Sequence, residues 1–105
     1  MRFIETPVFT QAVAELLDDQ QYWSLQVALL LQPALGQVIP RSGGLRKARW
    51  SLKGRGKRGG LRIIYFWDDA SETFYMLYAY RKSERGDLTA QQIRILARLV
   101  HEEFG

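Results

Sequence analysis

The run Leu61 to Trp67, LRIIYFW, constrains the fold more than any other stretch of this chain. Apart from Arg62 it is wholly apolar and rich in β-branched and aromatic residues, so it reads as a central strand covered on both faces. Upstream, residues 45 to 52 alternate: Ala48, Trp50 and Leu52 share one face, while Lys47, Arg49 and Ser51 share the other. The apolar set is expected to face helices, leaving Lys47 and Arg49 side by side on an open face. Downstream, Asp68 to Glu72 reads as a turn and Thr73 to Tyr80 as the second strand of an antiparallel hairpin. If Trp67 pairs with Thr73, Arg62 shares a face with Tyr78, Tyr80 and Lys82. A slip of one residue places it with Arg81 instead.

The N-terminal third is helical in pattern. Arg2 to Glu5 reads as a short edge strand. Thr6 and Pro7 form a helix start, N-cap followed by proline at the first helical position. Val8, Phe9, Ala12, Val13, Leu16 and Leu17 then recur at helical spacing as far as about Asp18. Asp19 is expected to cap a second helix that turns Tyr22, Trp23, Leu25, Leu29 and Leu30 inward and stops at Pro33. Residues 33 to 44, PALGQVIPRSGG, carry turn chemistry. At the other end, Thr89 and Gln92 make a capping box and Leu88 can staple to Ile93. The stripe Ile93, Leu96, Ala97, Val100 and Phe104 follows, with Arg94 and Arg98 outside. The expected order is β-α-α-β-β-β-α, an α+β domain over residues 1–105 with a mainly antiparallel sheet.

Charge is strongly polarised. Of fifteen Lys and Arg, eight lie between Leu45 and Trp67, whereas no Asp or Glu occurs from Gln20 to Trp67. A concentrated basic surface with glycines and aromatics is the footprint of a phosphate-backbone binder. The absence of cysteine excludes thiolate chemistry and fits a reducing cytoplasm, and a single histidine, His101, argues against a zinc site. No 18-residue apolar segment suggests a membrane span.

The loop KGRGKRGG does not spell a P-loop, since no G-x-x-x-x-G-K-[ST] occurs and no helix follows. Its glycines do allow the main chain to approach phosphates closely. Without histidine pairs or carboxylate clusters near the basic stretch, chemistry there falls to Lys, Arg and Tyr. RNA suits that set, because its own 2′-OH can attack the adjacent phosphate without a metal-activated water. The protein then has to position the backbone, stabilise charge and move protons. Arginine offers a rigid fork to two phosphate oxygens, and crowding among cations makes lysine a conceivable proton carrier. Tyr80, beside Arg81 and Lys82, is placed to stack on a base.

Several segments together are similar to the RelE superfamily of bacterial toxins, in particular the HigB type. They are F-I-E-T-x-x-F at Phe3 to Phe9, G-G-L-R-K-A-R-W at Gly43 to Trp50, G-K-R-G-G-L-R-I-I-Y at Gly56 to Tyr65, Y-x-K at Tyr80 to Lys82, and D-L-T at Asp87 to Thr89. The resemblance implies a small RelE-like sheet with two N-terminal helices. It implies a cofactor-free, metal-independent endoribonuclease, an mRNA interferase that cuts mRNA on the ribosome and halts translation. It also implies a cognate antitoxin, HigA-like and of helix-turn-helix type. Carried over by motif, the catalytic set is Lys47, Arg62, Lys82 and Tyr80, with Arg46, Arg49, Lys53, Lys57, Arg58 and Arg81 on the RNA. Two other readings belong to different classes: a ParE-like toxin that binds a topoisomerase without cleaving RNA, and a non-catalytic RNA- or DNA-binding module.

Overall fold

The computed structural model describes residues 1–51 and 60–103. Among them the order is β1 (Arg2–Glu5), α1 (Pro7–Leu16), α2 (Asp19–Leu31), β2 (Gln37–Val38), β3 (Arg46–Trp50), β4 (Leu61–Asp68), β5 (Thr73–Arg81) and α3 (Ala90–Glu103). The sheet runs β1-β5-β4-β3-β2, antiparallel except that β1 lies parallel to β5 at the edge. This is an α+β architecture of three helices and five strands among the described residues. The expectation differs from it by one element. Gln37–Val38, inside the stretch read as a turn, adds a fifth strand, pairing Gln37 with Lys47 and Val38 with Arg46. Two residues are too few for a period-2 signal. No helix among the described residues is long and apolar enough to cross a membrane.

Leu61 to Tyr65 of β4 are buried without a break, and β4 sits in the middle of the sheet. Its two faces belong to different cores. Ile63 and Tyr65 meet Phe9, Val13, Leu17, Leu25 and Leu29 of the helical hairpin. On the reverse face, Ile64 meets Leu45, Tyr75, Leu77, Leu88 and Val100, with Ile93, Leu96 and Ala97 of α3 packed alongside. The face expected to be open is therefore partly covered by α3.

Capping follows the sequence at three helix starts, with one shift. Thr6 Oγ1 accepts from Phe9 N, and Thr89 with Gln92 forms the capping box. The second helix is capped by Asp18, not Asp19: Asp18 Oδ1 accepts from Gln21 N while Gln21 Oε1 accepts from Asp18 N. A reciprocal pair satisfies two otherwise unpaired donors, which a cap at Asp19 would not match here. Val8 and Trp23 turn outward, 57% and 61% exposed, contrary to their expected inward positions. In α2 the apolar residues run round the whole circumference, so spacing alone cannot choose the buried face.

The β4–β5 register resolves the alternatives in an unexpected way. Asp68 pairs with Thr73 and Trp67 with Phe74, one residue away from the Trp67–Thr73 pairing. A bulge then falls between Ile64 and Tyr65, because Tyr65 pairs with Met76 but Ile64 with Tyr78. The extra residue, Leu77, restores the parity, and Arg62 lies opposite Tyr80. Thr6 secures the bulge: its Oγ1 donates to Leu77 O at 2.9 Å and its N–H donates to Met76 O at 3.0 Å.

Candidate functional site

Register places three of the singled-out side chains in one line. Arg49 on β3 pairs with Arg62 on β4, and Arg62 pairs with Tyr80 on β5. The next line of the same face is Lys47, Ile64 and Tyr78. Ile64 and Tyr80 of these lines belong to the second core, and Lys47 joins them at a cavity also lined by Ala90 and Ile93 of α3. Lys82 follows β5 directly and is exposed; its N–H donates to Gly60 O at 3.2 Å.

Arg62 is the unusual member. It is 9% exposed, and its Nη1 donates to the carbonyl of Leu61 at 3.2 Å. Among the described residues no carboxylate pairs with it, so neither Glu72 nor Glu84 compensates its charge; Glu84 instead lies 3.5 Å from Arg81. No carboxylate among the described residues is in ion-pair contact with this buried guanidinium, and Asp87 acts on it only at longer range; a charge so placed is costly.

Tyr80 is 5% exposed and stacks on Tyr78, ring centroids 5.8 Å apart. Its ring belongs to the second core and is not presented as a base-stacking platform. Its hydroxyl is buried and, among the described residues, has no hydrogen-bond partner. Burial pushes this phenol up, Asp87 adds to the effect, and Arg62 and Arg85 oppose it. The group therefore stays a neutral O–H at physiological pH. Such orphaned buried polar atoms are rare in folded proteins.

Lys47 brings in a residue that the sequence motifs mentioned only in passing. Its Nζ donates to Asp87 Oδ1 at 2.7 Å, across 40 residues of sequence. The Lys47 ammonium, by hydrogen bond and charge, holds the Asp87 carboxyl below the usual carboxylate range, with Arg62 and Lys82 adding to it. Asp87 thus faces three of the cations at once. No local pattern could reveal it, because only the fold of the 82–89 segment carries it to β3. Lys47, Tyr80 and Asp87 line a cavity of about 530 Å³, whose apolar wall includes Ile64, Leu88 and Ile93.

The remaining expected residues are scattered. Arg46 lies on the hairpin side of the sheet, its Nη1 donating to Gly36 O at 2.7 Å, away from the arginine line. There the turn runs so close to β3 that a Cβ on Gly36 would come within 2.9 Å of the backbone of Lys47 and Ala48. Arg81 pairs with Leu61 and so also faces the hairpin side. Lys53, Lys57 and Arg58 lie outside the described residues. Among the described residues no three of His, Asp and Glu gather as a metal site would require.

No family model matches the sequence. Among solved structures, the chain is similar to an arginine-substituted mutant of the E. coli toxin RelE in the free state. The two share 15% identity, with a TM-score of 0.52, over 91% of this chain and 92% of that one. The order of helices and strands, the mixed sheet and this superposition agree: the chain has a RelE-like α+β fold.

Proposed function

We propose that this protein is the toxin of a type II toxin–antitoxin system and cleaves mRNA on the ribosome without a metal ion. The observation that carries the proposal is the line Arg49–Arg62–Tyr80 across three strands, in which Arg62 is buried with no carboxylate in ion-pair contact among the described residues. A rigid sheet holding a buried guanidinium, with no carboxylate in ion-pair contact among the described residues, suits a group that stabilises charge on a phosphate in the transition state. Lys47 and Lys82 both act on Asp87 on this side of the sheet, and Lys53, Lys57 and Arg58, outside the described residues, add positive charge in the sequence. The likeness to the E. coli toxin RelE supports the same reading at the level of fold.

Within that class, the motifs at Gly43 to Trp50 and Gly56 to Tyr65 favour the HigB type, acting in the cytoplasm. The antitoxin is then HigA-like. The decisive experiment adds the purified protein to translating ribosomes and maps mRNA 5′ ends. New ends inside the reading frame, absent with Arg62→Ala, are the expected result. Intact mRNA overturns the proposal, and if DNA supercoiling is inhibited instead, the topoisomerase-binding reading takes its place.

A further inference from the structure

If the chain cleaves RNA as proposed, attack by the 2′-OH requires a proton acceptor, and the residues already singled out are poor ones. Arginine does not give up its proton in proteins. Tyr80 is held as a neutral phenol. Lys47 and Lys82, as ammonium groups, offer donors and no lone pair. The acceptor at this end of the sheet is Asp87. Its Oδ1 takes the hydrogen bond from Lys47, and among the described residues its Oδ2 accepts none. Its side chain is 83% exposed and stands at the cavity beside Tyr80 and Ile64.

We infer that Asp87 is the general base of the reaction and that Lys47 is its paired general acid. Asp87 Oδ2 takes the proton of the 2′-OH while the 2′-oxygen bonds to phosphorus. The bond from phosphorus to the 5′-oxygen breaks, and the departing oxygen takes a proton from Lys47 Nζ. The products are a 2′,3′-cyclic phosphate and a 5′-hydroxyl. Asp87 is then protonated and Lys47 is a neutral amine. Rotation of the exposed carboxyl brings the protonated Oδ2 to the place Oδ1 holds 2.7 Å from Nζ, and the proton passes to the amine and restores the pair. Arg62 and Arg49 stay charged throughout and stabilise the phosphate.

Two features make a carboxylate workable beside an anionic substrate. The charged groups facing it are Lys47, Arg62 and Lys82, so the local field stays positive with Asp87 ionised. A carboxyl held low in its range is ionised at physiological pH and has a lone pair free to accept, while the same depression makes it a weaker base.

The test compares wild type, Asp87→Asn and Asp87→Glu on programmed ribosomes under single-turnover conditions. In parallel, each binds an RNA carrying 2′-O-methyl groups, which cannot be cleaved. Asp87 is exposed, so the variants are expected to fold, and thermal melting checks that. Asp87→Asn is expected to lower cleavage by roughly a hundred- to ten-thousandfold. Its binding to the blocked RNA should be unchanged or tighter, since one negative charge is gone. Asp87→Glu should recover part of the rate. Cleavage by Asp87→Asn at the wild-type rate or faster overturns the inference, because Asp87 is then only a plug in the phosphate site. Equal loss of binding and cleavage overturns it too, by making Asp87 a structural tie for the 82–89 segment. A wild-type protein that leaves mRNA intact instead overturns the toxin reading on which this rests.

Discussion

The two faces of the sheet obey different rules. On the hairpin side the prominent buried polar groups among the described residues are satisfied. Tyr22 Oη donates to Glu5 Oε2 at 2.6 Å, and burial together with this carboxylate drives the phenol far above its ordinary range. Tyr65 Oη donates to Pro33 O at 2.7 Å and accepts from Gly36 N at 2.9 Å. Aromatic rings fill the space between, with Phe74 set 4.7 Å from Phe3 and 4.4 Å from Trp67. On the α3 side the packing is apolar only as far as Leu88. The same side also holds a buried arginine with no carboxylate in ion-pair contact and a buried phenol with no hydrogen-bond partner among the described residues. Folding alone would remove such defects at little cost, by a Leu at 62 and a Phe at 80. Their presence on one face and absence from the other supports the proposal that the hairpin side holds the molecule together and the α3 side acts.

That contrast breaks first at Phe9. It is fully buried at the centre of the hairpin core, so Phe9→Ala should cost about 3–5 kcal/mol through lost burial and a residual cavity. Denaturant unfolding should show the loss, with any fall in activity tracking the unfolded fraction. An unchanged midpoint would mean that the hairpin is not the structural face.

Arg62→Ala is the mirror experiment. Cleavage and toxicity should fall roughly a hundred- to a thousandfold, equivalent to about 2.7–4 kcal/mol of transition-state stabilisation, while the melting temperature barely moves. Arg62→Lys should recover little, since a point charge does not reproduce the fork. An unfolded variant, or a folded one of normal rate, makes Arg62 structural and erases the distinction.

Tyr65→Phe sharpens the comparison at smaller scale. It strips partners from Pro33 O and Gly36 N and should lower stability by about 1–3 kcal/mol. Tyr80→Phe, which removes a hydroxyl already unpartnered, should leave stability unchanged or slightly raised. Equal losses in the two variants, measured by urea unfolding, would contradict the assignment of the faces.

The smallest effect concerns pH. The folded value of Asp87 is depressed, so its pairing with Lys47 is fully present above the ordinary carboxylate value of 3.8 and is lost as pH falls through the lower folded value. Between pH 5 and pH 8 this group should therefore add no slope to stability. Carbon-detected NMR titration of the Asp87 carboxyl should give a midpoint below 3.8, moving back toward it in Lys47→Met. A midpoint at or above 3.8 in the wild type would show that the ion pair does not persist in solution.

Much of the molecule was legible in the chain itself. The apolar run at Leu61 to Trp67 required a strand covered on both faces, and it proved central, with a helical layer on each side. Local chemistry also located the helix starts at Pro7 and Ala90, because a capping residue and the donors it satisfies lie within three residues of each other. The fold class followed, and so did the side of β3 that carries Lys47 and Arg49.

What the chain alone left open depends on contacts between distant segments. Helical spacing could not orient α2, whose apolar residues encircle it, so the outward turn of Trp23 is decided by packing on Phe9 and Tyr65. The site turns on a single extra residue. Leu77 shifts the β4–β5 register, and without it Arg62 would face away from Tyr80. That bulge is secured by Thr6, 71 residues away, whose hydroxyl takes up the carbonyl of Leu77. Asp87 likewise reaches Lys47 only because α3 packs across the sheet. Periodicity and capping act over a few residues and can be read in order along the chain. Strand parity and charge pairing act across the folded sheet, so only the tertiary structure decides them.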